Sequence, residues 1–165
     1  MAEEVLEARD VHTDAGVIIS NAVKWSGAAG FIPVPYVDLA ALGALQFKMV
    51  RDLAAIYDID AKTKVVRTVV ASLLGSLAPT VISTSLVGSS LKLIPGGGTL
   101  VGSASVAAFS AASTYAIGKV FVRHFENGGS LENFSAENIQ EELKDEFASA
   151  SQKAEPKSSQ TAPKK

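Results

Sequence analysis

The sequence predicts an all-α protein: two helical hairpins forming a four-helix bundle, followed by a short C-terminal helix and a disordered tail. Three observations lead there. Apolar and small residues recur at three- and four-residue steps over long stretches, the period of a helix face rather than of a strand. Prolines and glycines cluster around residues 31–36 and 95–98, where a helix has to stop. The length of 165 residues suits one folded unit.

The first helix should run from about residue 5 to residue 29, with Val11, Ala15, Ile18, Ala22, Trp25 and Ala29 along one face. Phe31-Ile-Pro-Val-Pro-Tyr36 breaks it, because proline lacks a donor and restricts the residue before it. Asp38 is placed to cap the second helix, which should reach Tyr57 with Leu39, Leu42, Leu45, Met49, Leu53 and Ile56 as its stripe. Gln46 on that helix is expected to reach hydroxyls of the third helix. Asp58, Asp60, Lys62 and Lys64 mark a polar connection.

Two uncharged stretches follow, residues 68–91 and 93–118, separated by Lys92. Each has the length of a membrane crossing, about 20 residues. Both are diluted by small and hydroxylated residues: residues 68–91 hold ten Leu, Ile or Val beside nine Ser or Thr. They read as helices that need each other. Ala104, Ala108, Ala112 and Ala116 recur every fourth residue in the fourth helix, and Ser72, Ser76, Thr80, Thr84 and Gly88 in the third. Facing ridges of small residues allow two backbones, or two copies of the chain, to approach closely. Ala and Ser at this spacing also serve ordinary soluble bundles, so the alternative is a hairpin buried in its own bundle. Ile-Pro turns 62 residues apart, in Gly30-Phe-Ile-Pro and Lys92-Leu-Ile-Pro, suggest the same hairpin used twice.

Gly128-Gly129 breaks the chain again, and Ser135 can cap a last short helix carrying Ile139, Leu143 and Phe147 on one side. Residues 149–165 are poor in apolar residues and should form a flexible tail. The expected organisation is a helical membrane-associated domain over residues 1–126, then an acidic helix and tail over 127–165.

Chemistry is sparsely represented. The absence of cysteine excludes disulfides, thiolate catalysis and Cys-containing zinc sites. His12 and His124 form no local cluster, and no Ser/His/Asp order or carboxylate pair emerges. Pro95-Gly96-Gly-Gly-Thr-Leu-Val-Gly102 lacks the Gly-Lys-Ser/Thr ending of a phosphate loop and reads as a tight interhelical turn. Asp38 in its apolar surroundings reads as a helix cap before a proton relay. No enzyme, cofactor or metal site is therefore expected.

Nine Lys or Arg and four Asp occupy residues 24–123, between acidic ends. A basic middle flanked by acids does not suit nucleic acid and does suit a core held near anionic headgroups. Lys62, Lys64 and Arg67 precede the third helix and Lys119 and Arg123 follow the fourth, against Lys92 at the turn. Crossing of the bilayer by residues 68–118 would then leave both termini cytoplasmic. The first hairpin has only about nine uncharged residues on each side of its turn. It can dip into the bilayer or lie on it, but should not cross.

Gly30-Phe-Ile-Pro-Val-Pro-Tyr-Val-Asp38, followed by Leu39 to Gln46, Met49 and Ile56-Tyr57, resembles the signature of the GTPase-associated domain of unknown function 697, which includes YcjF-like membrane proteins. Leu93-Ile-Pro-Gly-Gly-Gly and Thr114-x-Ala-Ile-Gly118 fit the same pattern, so the resemblance covers about residues 12–126. The molecular role of that family is unassigned and the resemblance brings no catalytic residues; with the apolar hairpin, the expected protein is a membrane-associated anchor or adaptor. With no G domain in this sequence, a GTPase would act in trans. The partners expected are thus the lipid bilayer, a GTPase and a second copy through small-residue helix faces.

Overall fold

Five helices follow one another: α1 (Ala2–Ala29), α2 (Val37–Ile56), α3 (Thr63–Val87), α4 (Gly98–Glu126) and α5 (Ala136–Ala154). The computed structural model describes residues 2–29, 37–87 and 98–154, with side chains over 10–28, 40–77 and 106–153. All regular structure among these residues is helical, as the periodicity predicts. Both Ile-Pro turns lie outside the described residues.

The long helix α4 is the axis of the bundle, and every other helix packs against it. Its most extensive partners are α1 and α5, and α3 touches it least. The core is built from Ala15, Ile19 and Ala22 of α1, Met49, Val50 and Leu53 of α2, and Val66, Val70, Leu73 and Leu77 of α3. These surround Ile117, Val120, Phe121 and Phe125 of α4, with Leu143 of α5 closing the side.

Several expectations need correction. Helix α4 does not stop near Gly118, because Val120, Phe121, Val122 and Phe125 continue its buried stripe. It stops in a Schellman motif. Gly128 N–H donates to Phe125 O and Gly129 N–H to His124 O, with Gly128 at a φ of 75°. Lys64 belongs to the first turn of α3 rather than to a connection. Helix α2 is under way at Val37, so Asp38 sits inside its first turn, and its side chain lies outside the described residues. Ser135 does cap α5, accepting from Asn138 N–H at 3.4 Å, and that helix continues to Ala154, taking in the first six residues of the expected tail.

Trp25 is not on the inner face of α1: it is 69% exposed. The buried stripe there is Ala15, Ile19, Ala22 and Ser26, rotated from the predicted one. The alanine ridge of α4 also has a different partner. Ala112 and Ala116 share their face with Phe109 and Arg123, which meet Phe147, Glu142 and Glu146, so the ridge seats α5 rather than α3. Ser76 of α3 donates to Leu73 O within its own helix. Among the described residues no helix is long and apolar enough to cross a membrane. The two crossings expected of residues 68–118 are therefore not carried by these helices.

Candidate functional site

The contacts along α4 fix how far each neighbour extends. Ile19 meets Gly118, Gly27 lies 3.8 Å in β-carbon terms from Ala111, and His12 pairs with Glu126. These three points describe an antiparallel register in which Ala29 stands opposite about residue 109. At 1.5 Å per residue, α4 projects about 16 Å past the end of α1. Helix α2 runs parallel to α4, with Gln46 at Ser113 and Thr114 and Tyr57 at Phe125. That register stops α2 near the level of residue 105. Lys62 reaches Glu132, so α3 starts where α4 ends and its far end returns to the same projecting pole.

Charge divides the molecule along this axis. The pole opposite the projecting end carries Asp58, Asp60, Lys62, Glu126 and Glu132. Toward the projecting end, residues 25–29, 37–47, 68–87 and 98–118 hold a single charged residue, Asp38. Just above that end stand Lys24, Trp25, Lys48 and Lys153, all exposed. Lys153 rims an apolar groove floored by Ala111, Ala112 and Tyr115, between Val23 of α1 and Ala150 of α5.

The polar pole is a set of linked pairs. Glu126 Oε1 accepts from Tyr57 OH at 3.2 Å and contacts His12 Nδ1 at 2.8 Å. Burial, and then the Glu126 charge beside it, pushes the Tyr57 phenol up to about 12. Lys62 and Glu132 hold each other charged, raising the ammonium pKa and lowering the carboxyl. Arg123 forks onto Glu142 at 2.7 Å and Glu146 at 3.1 Å. Exposed pairs of this kind contribute little, because water and salt screen them.

His124 lies in the last turn of α4, against Ser130 O at 2.9 Å and Asn133 Oδ1 at 3.1 Å, and ties that turn to the corner that follows it. Gln46 is fully buried and does reach across the bundle, but to Ser113 and Thr114 of α4 instead of α3. Among the described residues no group of three or more His, Asp or Glu is arranged to hold a metal ion. The glycine-rich stretch begins outside the described residues, and Gly98 opens α4.

This organisation covers the region matched by a known family. Residues 1–152 match the family described as Domain of unknown function (DUF697). The chain belongs to the DUF697 family. Magnetosome membrane protein 22 of Magnetospirillum gryphiswaldense is 37% identical over 130 residues, 79% of this chain and 67% of that protein. No solved structure matches the chain.

Within this DUF697 chain, two of the residues marked by the sequence pattern have structural reasons. Gly118 gives Ile19 its place, and Gln46 binds the hydroxyls two helices away in sequence. The zone that Lys24, Lys48 and Lys153 surround, and the Arg123 fork, had no sequence signal. They join residues 19 or more positions apart whose spacing along the chain carries no period.

Proposed function

We propose that this protein is a non-enzymatic, membrane-associated anchor or adaptor that inserts the common end of α3 and α4 into one leaflet. The observation that carries the reading is the projection of α4 by about 16 Å beyond α1, comparable to half of a hydrocarbon core about 30 Å thick. Between Arg67 and Lys119 the sequence holds a single charged residue, Lys92. The name of the magnetosome membrane relative supports a membrane association. A hairpin end that enters one leaflet without crossing leaves both termini on the cytoplasmic side. The opposite, charged pole then faces a protein partner, and the family resemblance makes a GTPase acting in trans the one to seek by pull-down.

A second reading rests on α3, whose Val66, Val70, Leu73 and Leu77 are buried in the bundle itself. In that reading the whole hairpin is self-buried and the protein is a soluble or peripheral binding module. Cell fractionation separates the two. Insertion predicts sedimentation with membranes through high salt and carbonate, and release by detergent. Recovery in the supernatant without detergent would overturn it. In this Cys-free chain, Ser159→Cys should escape an impermeant thiol reagent in intact cells.

A further inference from the structure

Lys24 of α1, Lys48 of α2 and Lys153 of α5 are scattered in sequence but stand around one zone of the bundle, next to its projecting end. The α1–α4 register puts Lys24 opposite about residue 114, and the Gln46 contacts put Lys48 opposite about residue 116. Lys153 lines the groove floored by Ala111, Ala112 and Tyr115. Lys24 and Lys48 therefore lie within about one helical turn, 5.4 Å, of the level of Tyr115, and Lys153 borders the groove on its projecting side. Each is exposed. Lys48 pairs with Asp52, its neighbour one turn toward the charged pole, while Glu146 is turned to Arg123. Trp25, 69% exposed, lies next to Lys24 at the same height.

We propose that Lys24, Lys48 and Lys153 form a cationic collar that contacts the phosphates of anionic phospholipids around the inserted end of α3 and α4. This rests on the membrane reading above and adds a lipid class to it. Spacing supports it. The start of α4 lies about 25 Å below the collar, and the midplane of a bilayer lies about 20–22 Å below the outer edge of its headgroups. Lysine stems extend along apolar surface while their ammonium groups stay at the phosphates, and tryptophan favours the same zone. Acids are kept away from it: those with described side chains on the same helices, such as Asp52 and Glu146, lie on the side of the collar away from the projecting end.

Flotation of the full chain with phosphatidylcholine vesicles, with and without phosphatidylglycerol, tests the collar. Each lysine near an anionic surface strengthens partition by about fivefold. The triple variant Lys24→Gln, Lys48→Gln, Lys153→Gln should bind anionic vesicles about a hundredfold more weakly, while binding to neutral vesicles is unchanged. Lys64→Gln, at the opposite pole, should bind like wild type. Emission of Trp25, the single tryptophan, should shift to the blue on anionic vesicles. Equal binding of wild type to neutral and anionic vesicles, or a triple variant of native helicity that binds undiminished, would overturn the collar. Absence of binding to either vesicle would instead overturn the membrane reading beneath it.

Discussion

Ile19 of α1 occupies the space that a side chain on Gly118 of α4 would need: a β-carbon there would lie 2.7 Å from Ile19 Cγ1 and 3.3 Å from its Cγ2. Ile19 is buried and β-branched, so it has little rotamer freedom with which to withdraw. The absence of a side chain at Gly118 is what brings the two helices together, and their contact sets the register on which the projecting end depends.

Gly118→Ala should therefore overpack the α1–α4 contact at a cost of about 1–3 kcal/mol, partly offset by the better helix propensity of alanine, about 1 kcal/mol. In an Ile19→Ala background the obstruction is gone, and the same substitution should stabilise. Urea unfolding of the four proteins of this cycle measures both. A Gly118→Ala effect of the same sign in both backgrounds would show that Ile19 is not the obstruction.

Gln46 is buried with its amide donating to Thr114 Oγ1 at 3.2 Å and Ser113 Oγ at 3.4 Å, while its Oε1 meets no donor among the described residues. Gln46→Met keeps the volume and removes that orphan acceptor, so stability should stay within about 1 kcal/mol of wild type. Gln46→Ala leaves a cavity and should cost about 2–4 kcal/mol. Equal losses in the two variants, read from unfolding midpoints, would mean that the amide bonds outweigh packing.

Helices α2 and α4 end in the same Schellman pattern, but with different residues in the left-handed position. Ile59 N–H donates to Ala54 O at 2.8 Å and Asp58 N–H to Ala55 O at 3.3 Å, with Asp58 at a φ of 53° where α4 uses Gly128. A non-glycine residue is strained in that region. Asp58→Gly should raise stability by about 0.5–1 kcal/mol, and Gly128→Ala should lower it by about 1 kcal/mol. Thermal unfolding of both variants gives the two signs directly.

Tyr57 makes stability fall at alkaline pH. Its folded pKa, about 12, lies above the ordinary 10.0, so the native state holds the phenolic proton more tightly than the unfolded chain. The contribution is complete below pH 10 and is lost as pH rises through 12. Tyr57→Phe lacks this titration. The difference in urea midpoint between wild type and variant should shrink between pH 10 and pH 12, and a constant difference would exclude Tyr57 as its source.

Secondary structure was largely legible in the sequence because it is local. Helical spacing, the glycine pair after α4 and the Ser135 cap act within a few residues, and they place all five helices to within several positions. Leu42, Met49 and Leu53 were recognisable as core by the same period. The faces of α1 were not. Trp25 and Ile19 are both apolar, and only the close approach of α4 at Gly118 decides that Ile19 turns inward while Trp25 is left exposed.

The sequence by itself determined a helical chain of this family, poor in charge through its third and fourth helices and without cysteine chemistry. Only the tertiary structure decided that α5 rather than α3 covers the alanine ridge, that Gln46 serves α4, and that Lys24, Lys48 and Lys153 surround one zone of the bundle. The reason is physical. Periodicity reports which residues of a helix share a face, but the partner of that face and its axial register come from side-chain volumes meeting across helices, and those meetings leave no regular mark along one chain.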